Sequence, residues 1–368
     1  MDFEFSEDQE LLRATVQRFL AERAPISYVR SMLDDERGTT DDVWSGLAAL
    51  GVTGLLVPEA YGGAGMGMVD MAVVLEELGR AVYPGPFTSS AVGAVSLIVR
   101  AGSADDHADL LPALASGEAI GTVLFSPGDG IRASAADGGW ALTGEARNVP
   151  DAFAADTIVV AATATDGELG AFVVARDAPG CAIEPTPTVD GTRKFATVTL
   201  TDTRARRLGS GNATNAVAET VDRLGIAAVV DGVGAAARAL EMAVAYAKER
   251  RQFDRPVGSF QAVQHLCADM LRAVELARAG AYYACWAADA ADAAERHRAA
   301  TMAQAFAADE LYGVVASLIQ VHGGIGFTWE HDAHLFYKRL LTLKERAGGS
   351  PGQLEELAAI VLGPPRSR

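Results

Sequence analysis

The segment that decides the fold lies near the C-terminus and reads Gln320-Val321-His322-Gly323-Gly324-Ile325-Gly326-Phe327-Thr328-Trp329-Glu330-His331. Two adjacent glycines follow a long helical pattern, and aromatic and charged side chains come directly after them. Glycine lets another group approach the backbone closely, and it also ends helices. Taken alone, the glycine pair is a simple helix stop, so its meaning depends on the motifs elsewhere in the chain.

Two further motifs stand upstream of this segment. The first is Arg250-Arg251-Gln252-Phe253, which runs on to Phe260-Gln261, and the second is the glycine-rich stretch Pro58-Glu59-Ala60-Tyr61-Gly62-Gly63-Ala64-Gly65. The glycine-rich stretch lacks the Gly-Lys-Thr ending of a phosphate-binding P-loop and does not follow a strand. By itself it is a turn between helices, and Arg250 by itself is a solvated charge at a helix end.

Together and in this order, the three motifs resemble the acyl-CoA dehydrogenase family, and the resemblance covers almost the whole chain. It implies FAD as cofactor, an acyl-CoA thioester as substrate and an electron-transfer flavoprotein as electron acceptor. In this family the ADP half of FAD is held largely by a neighbouring subunit. The residues expected to contact the cofactor are Arg250, Phe253, Phe260, Gln261, Gln320, Gly323 and Gly324. Asp254 stands where the family has glycine.

The hydrophobic pattern changes period twice along the chain. It is helical up to about residue 115, alternates in short β-rich runs, and becomes helical again from about residue 213. This order predicts a mainly α fold with a central β domain. The resemblance implies an N-terminal helical domain (1–116), a middle β-barrel-like domain (117–208) and a C-terminal four-helix bundle (209–368) with FAD-contacting and oligomerisation surfaces.

Charge and composition exclude several classes of partner. The chain has 368 residues and a formal net charge of −17, which disfavours nucleic acid and anionic membrane surfaces. No apolar run reaches the ~18 residues of a membrane span. The acidic start and three scattered cysteines indicate a reduced, cytoplasmic protein. Glu330, His331 and His334 have no further ligand at suitable spacing, so no metal site is expected.

The β region departs from the family pattern. Family members carry a Thr-Glu-Pro-x-Ala-Gly-Ser-Asp loop that binds the flavin and the thioester, but Leu124–Ile131 is shorter and lacks this pattern. A later family strand places a threonine at flavin N5. Pro150 falls there, and proline offers neither a hydroxyl nor an N–H.

The catalytic carboxylate is also absent from its usual positions. The family removes the α-proton of the thioester with a positioned and partly desolvated carboxylate. Ala347 occupies the usual glutamate position, and Leu224 occupies the alternative position that some members use. Asp222 and Glu345 are each two residues away, which on a helix directs a side chain roughly to the opposite face. They remain weak candidates for a relocated base.

Three hypotheses follow. The leading one is a non-catalytic subunit of an FAD-dependent heteromeric acyl-CoA dehydrogenase in fatty acid or steroid catabolism. Its expected partner is a homologous, base-bearing subunit, in a tetramer with two chains of each kind, as in the steroid-degrading enzymes of actinobacteria that it resembles. The second is a self-sufficient homotetrameric dehydrogenase that uses Asp222 or Glu345. The third is a relic of the fold that binds a CoA ester or a protein without redox chemistry.

Overall fold

A computed structural model of the chain describes residues 5–125, 130–165, 167–345 and 349–363. The chain divides into two compact units. Unit 1 is formed by the described residues of Met1–Ile26, Ala72–Tyr83 and Gly225–Arg368, and unit 2 by those of Ser27–Met71 and Pro84–Leu224. Each unit therefore combines segments that are distant in the sequence.

The first third of the described chain is helical. Its α-helices are α1 (Glu7–Arg23), α2 (Ile26–Ser31), α3 (Asp41–Ala49), α4 (Met68–Arg80), α5 (Val95–Ala101) and α6 (Ala104–Ala115). The sequence Ser6-Glu7-Asp8-Gln9 predicts a capping box at the start of α1. The structure confirms it, because the Ser6 hydroxyl accepts from the Gln9 N–H and the Gln9 side chain accepts from the Ser6 N–H.

The apolar pattern predicts a helix over residues 88–99, but its first part, Thr88–Ala94, is a π-helix. Apolar periodicity does not distinguish the two helix types over two turns, so the sequence could not predict this. In the wider turn, Ser89 donates a 2.6 Å hydrogen bond to Asp151, and Ser90 accepts one of 3.0 Å from the Gly121 N–H. The π-helix thus joins the helical part of unit 2 to its sheet.

A seven-stranded sheet forms the centre of unit 2. Its strands are β1 (Gly121–Phe125), β2 (Ile131–Ala136), β3 (Gly139–Pro150), β4 (Thr157–Ala164), β5 (Leu169–Ala175), β6 (Cys181–Thr186) and β7 (Phe195–Arg207). Strands β4, β2, β3, β7 and β5 pair in that order, and β5 pairs again with β4, which closes a barrel-like ring. Leu142, Ile158, Phe172 and Val198 fill its core.

The sequence predicts the β class of this region, with β-rich runs over residues 120–125, 140–142, 157–160, 170–174 and 195–200. It does not predict β2, β6 or most of β3. Two register shifts in β3, after Leu142 and after Ala146, break its apolar alternation. Strand β6 lies largely at the surface, and its inward-facing apolar residues, Cys181 and Ile183, form too short a series to predict a strand. The expected order of helical, β and helical regions is nevertheless confirmed.

Unit 1 is built on long helices. After α7 (Thr214–Glu249) come the short strands β8 (Arg251–Gln252) and β9 (Arg255–Pro256), then α8 (Gln261–Ala290), α9 (Ala293–His322), α10 (Ala333–Glu345) and α11 (Gly349–Leu362). Within this unit Arg339 of α10 is buried. Its Nη1 lies 3.0 Å from both carboxylate oxygens of Asp231, and its Nη2 donates to the Tyr83 carbonyl at 3.0 Å.

Across the described parts of the chain, no helix combines the length and apolar character that crossing a membrane requires. The three cysteines, Cys181, Cys267 and Cys285, are free thiols. Among the described residues, no group of three His, Cys, Asp or Glu side chains is arranged to hold a metal ion.

Candidate functional site

The motif that begins at Arg250 folds as a tight hairpin at the end of α7. Strands β8 and β9 pair, and the two turn residues Phe253 and Asp254 have φ angles of 53° and 64°. Two successive positive φ values are the geometry of a two-residue hairpin turn that favours glycine at its second position. Asp254 replaces that glycine, and the turn still forms because aspartate tolerates the left-handed conformation better than most residues.

The hairpin presents an aromatic ring to solvent. Phe253 is 86% exposed at its tip. Phe260 lies behind it, with the ring centroids 6.1 Å apart and edge to face, and the Arg255 guanidinium stands 4.0 Å from the centre of the Phe260 ring. Phe260 therefore supports the hairpin, whereas Phe253 is free to contact another molecule.

The second predicted segment ends helix α9. Gln320 lies in its last turn, and Gly323 caps it with φ 62° and ψ −137°, a conformation reserved almost wholly for glycine. The next residue, Gly324, has no positive φ, and no heavy atom of the described chain lies within 4 Å of where its Cβ would be. Nothing in its own backbone or surroundings requires glycine there, so the open space is available to another molecule.

A stack of rings links the two segments. Tyr246, one turn before Arg250, stacks on His322 with centroids 4.4 Å apart, and His322 in turn contacts His331 at 4.4 Å. His322 is buried, and its Nδ1 donates to the Leu318 carbonyl at 2.9 Å. Burial lowers the pKa of His322, and the neighbouring His331 adds to this effect. The motifs predicted to share a site thus lie at the same end of the helical unit.

The polar side chains at this end are available for binding. Within the described residues, the Arg250 guanidinium and the Gln261 and Gln320 amides have no hydrogen-bond or ion-pair partner, and all three residues are exposed. An arginine fork matches phosphate oxygens, and primary amides both donate and accept hydrogen bonds. The ADP half of FAD fits these groups. The polar side chains suit its phosphates and hydrogen-bonding atoms, the exposed Phe253 ring suits its adenine, and the open backbone at Gly324 leaves space for it.

Additional aromatic residues lie beside the Gly323–Gly324 turn. Phe327 is 79% exposed and Trp329 is 60% exposed. Trp329 stacks on His334 at 4.3 Å, and Lys338 Nζ lies 4.4 Å from the centre of the Trp329 ring. Sequence reasoning noted Trp329 only as part of the motif. It missed Tyr246 and the stacking role of His322, although the spacing of Tyr246 four residues before Arg250 places both on one helix face.

In unit 2, the alternative base position is filled by a packed side chain. Leu224 is 6% exposed, and its Cδ2 lies 3.3 Å from where a Cβ on Gly93 of the π-helix would stand. A Val123 methyl lies 3.1 Å from the same point. Leucine therefore contributes to the apolar core of this unit and leaves no proton acceptor at this position.

The other proposed base positions differ in their surroundings. Asp222 is 4% exposed within α7, whereas Glu345 is exposed at the end of α10. Ala347 lies outside the described residues, as do residues 126–129 of the stretch Leu124–Ile131. The structure therefore places Asp222 in a packed helix face and Glu345 at the surface.

Pro150 is the last residue of β3. Its carbonyl accepts a 2.5 Å hydrogen bond from the Thr122 hydroxyl, and it pairs with Phe195 of β7. The next residue, Asp151, has φ 52° and donates its N–H to the Lys194 carbonyl at 2.9 Å. Pro150 thus has a structural role at the end of the strand, and its side chain provides no hydroxyl group.

Comparison with known proteins agrees with this architecture. Residues 6–118 match the model of the acyl-CoA dehydrogenase N-terminal domain, and residues 213–362 match that of the C-terminal domain. The acyl-CoA dehydrogenase IpdE2 of Mycolicibacterium smegmatis is 34% identical over 97% of this chain and 99% of its own length.

Solved structures of two complexes are also similar. A chain of the Tcur3481–Tcur3483 steroid ACAD, solved as a variant, has a TM-score of 0.88 at 32% identity and covers 97% of this chain and 98% of that one. A chain of the ChsE4–ChsE5 complex from Mycobacterium tuberculosis has a TM-score of 0.91 at 27% identity, covering 99% and 100%. Fold and sequence together are those of a dehydrogenase. The chain belongs to the acyl-CoA dehydrogenase family.

Proposed function

We propose that this chain is the non-catalytic subunit of a heteromeric, FAD-dependent acyl-CoA dehydrogenase that desaturates an acyl-CoA thioester between its α and β carbons. Its role is to hold the ADP half of FAD bound mainly by a homologous, base-bearing subunit. The tetramer contains two chains of each kind and works in the cytoplasm.

The observation that carries this proposal is the unengaged contact set at one end of unit 1. Arg250, Gln261 and Gln320 have no partner within the described chain, and Gly324 faces open space. Each of these exposed groups alone could simply be solvated, so the proposal depends on their lying together at one end of the unit. A phosphate and an adenine supplied from a neighbouring subunit use all of them.

The lack of a positioned base supports the non-catalytic part of the proposal. The bound flavin would supply the hydride acceptor, but the α-proton still needs a carboxylate at the reacting carbon. Leu224 is apolar at one of the family's two base positions, and Ala347 occupies the other. Pro150 offers no hydroxyl at the position that the resemblance assigns to flavin N5. The base must then come from the partner chain.

The relatives support a heteromeric assembly and a steroid-derived substrate class. Two of the similar solved structures are named as pairs of different chains, and one is named a steroid ACAD. From these names we infer that the substrate is an acyl-CoA with a steroid-derived or fatty acyl group. The family resemblance implies an electron-transfer flavoprotein as the electron acceptor.

Reconstitution tests the proposal. The chain is purified alone, and also together with a homologous subunit that carries the family glutamate. Thioester-dependent reduction of an artificial electron acceptor is expected only for the mixture. Full activity of the chain alone, or inactivity with every homologous base-bearing subunit encoded beside it, would contradict the proposal.

A self-sufficient enzyme remains the second candidate, because Asp222 is a buried carboxylate in α7, two residues from the alternative base position. Its test is separate. If the chain alone is active, Asp222→Asn or Glu345→Gln should lower the rate by ~10²–10⁴-fold. Unchanged activity in both variants excludes this candidate.

A further inference from the structure

A cavity of about 420 Å³ lies at one edge of the sheet in unit 2. Its walls are the turn between β2 and β3 (Gly138–Trp140), Val173 of β5 and the end of β7 (Arg204–Arg207). This volume falls within the range of about 300–1,000 Å³ that is typical of small-molecule sites. The cavity belongs to the β region and contains none of the residues assigned above to flavin contact.

Three of the four β7 residues that line the cavity are arginines, but they are not equivalent. Arg206 is committed to the helix α6, because it forms ion pairs with Asp106 and with Asp109. The Asp106 carboxylate also accepts hydrogen bonds from the Ser103 N–H, the Ser103 hydroxyl and the Gly209 N–H, so it is fully engaged within the protein. Arg206 therefore adds little net positive charge to the cavity.

Arg204 and Arg207 have binding capacity left. Arg204 is exposed and has no hydrogen-bond or ion-pair partner in the described chain. Arg207 donates through Nη2 to the Gly211 carbonyl at 3.3 Å and lies 3.8 Å from Glu168, but among the described residues its buried Nε has no acceptor. A buried N–H without an acceptor is unfavourable, so the Arg207 side chain would gain a hydrogen bond by turning its Nε toward a ligand oxygen in the cavity.

The apolar part of the lining suits a flat, partly apolar ligand. Trp140 is held edge to face by Phe172 at 5.4 Å, and the Arg207 guanidinium lies 5.4 Å from the centre of its ring. Val173 completes this wall. The guanidinium groups of Arg204 and Arg207, together with the Trp140 indole, suit a ligand that has both an anionic group and a flat ring. The anionic group is best a phosphate, because the planar guanidinium fork matches phosphate oxygens.

We propose that this cavity binds a nucleoside phosphate, with its phosphate on Arg204 and Arg207 and its base or ribose against Trp140 and Val173. The chain carries a net charge of −17, and Asp106, Asp109 and Glu168 lie beside the three arginines. The site would therefore hold the phosphate by directed guanidinium N–H groups and not by a net local charge. The nucleotide half of coenzyme A and a free adenine nucleotide share the required chemistry. The proposal does not depend on the role assigned to the chain in desaturation.

Titration of the full-length chain tests the site. The probes are ADP, adenosine 3′,5′-bisphosphate as the nucleotide half of coenzyme A, and inorganic phosphate, each followed by calorimetry and by tryptophan fluorescence. Saturable binding of at least one nucleotide is expected, and the fluorescence change should vanish in Trp140→Phe while heat of binding remains. Tighter binding of the bisphosphate identifies the coenzyme A half, and tighter binding of ADP identifies a free nucleotide.

Variants locate the binding. Arg204 is exposed, so Arg204→Gln should fold normally. It should weaken nucleotide binding at least tenfold, and Arg207→Gln should weaken nucleotide binding to the same extent. Arg147→Gln removes one positive charge from the same sheet at a residue that pairs with Glu145 and does not line the cavity, so it should bind normally.

Four results would overturn the proposal. They are the absence of saturable nucleotide binding, unchanged binding in Arg204→Gln, equal binding of inorganic phosphate, and loss of binding in Arg250→Gln. The last would assign the signal to the flavin-contact residues of unit 1. None of these results requires the chain to be active, so they are independent of the test of desaturation.

Discussion

Tyr246 stacks on His322 with ring centroids 4.4 Å apart. This contact ties the last turns of α7 and α9 together and so fixes the Arg250 hairpin relative to the Gly323–Gly324 turn. Two motifs separated by some 70 residues in the sequence are therefore held at one end of a helical unit. The proposed contribution to a neighbouring FAD depends on that arrangement.

The two adjacent glycines should respond differently to alanine. Gly324→Ala meets no atom and no unfavourable φ, so the free energy of unfolding should stay the same or rise slightly. Its Cβ would nevertheless enter the space proposed for the cofactor, so the complex with the partner subunit should lose flavin. Absorbance at the flavin band and denaturant unfolding measure the two effects.

Gly323→Ala is the matched control. It forces alanine into φ 62°, ψ −137° and should lower the free energy of unfolding by about 1–3 kcal/mol. If Gly324→Ala leaves the flavin content of the complex unchanged, the open space at Gly324 is not a cofactor contact.

The hairpin tip allows binding and stability to be separated. Phe253 is 86% exposed, so Phe253→Ala should change the free energy of unfolding by no more than about 0.5 kcal/mol while it weakens flavin retention in the complex. Asp254→Gly should raise stability by up to about 1 kcal/mol, since glycine adopts the left-handed turn position without a Cβ clash. Equal flavin retention in Phe253→Ala and the unaltered chain would contradict the role of this ring.

The sequence predicted the features that depend on residues close together in the chain, and it missed those that depend on pairing between distant segments. Local signals such as the Ser6–Gln9 capping box and the long apolar series of α7, α8 and α9 predicted those elements well. The edge strand β6 and the bulged strand β3 were missed, because pairing with β7 and not apolar alternation holds them in place.

The candidate site shows the same division. Arg250, Gln320 and the glycine pair were predicted from motifs, and the structure brings them to one end of unit 1. The Tyr246–His322–His331 stack was not predicted, because it depends on the crossing of two helices whose relative rotation the sequence does not encode locally. The cavity at Arg204–Arg207 likewise arises only when β3, β5 and β7 become neighbours.

The buried His322 predicts a pH dependence of stability. Burial lowers its pKa below the ordinary value of 6.5, so the unfolded chain binds a proton more readily than the folded one. The stability associated with neutral His322 is present above that value and is lost as the pH falls from 6.5 through the folded-state pKa. Tyr246, His331 and the Leu318 carbonyl are the groups that face the ring.

Denaturant unfolding at about pH 7.5 and about pH 5.5 checks this dependence. The loss of stability on acidification should be smaller in His322→Gln, whose side chain does not titrate. An identical loss in both proteins would show that His322 does not contribute to it.

The buried pair of Asp231 and Arg339 should matter for folding and not for cofactor binding. Arg339→Met leaves the Asp231 carboxylate without its counter-charge and the Tyr83 carbonyl without its donor, so the free energy of unfolding should fall by about 3–5 kcal/mol. The double variant Asp231→Leu with Arg339→Met removes both charges and should lose less than Arg339→Met alone. A greater loss in the double variant would contradict this account of the pair.

The central claim is that this chain provides the ADP-half contacts of an FAD that belongs mainly to a base-bearing partner. The direct measurement is the visible flavin absorbance of the chain purified alone and of the complex co-purified with that partner, repeated with Arg250→Gln and Gln320→Ala. The account predicts little flavin in the chain alone, about one flavin for every two subunits in the complex, and loss of that flavin in both variants. A full complement of flavin in the chain alone, or an unchanged complement in both variants, would contradict it.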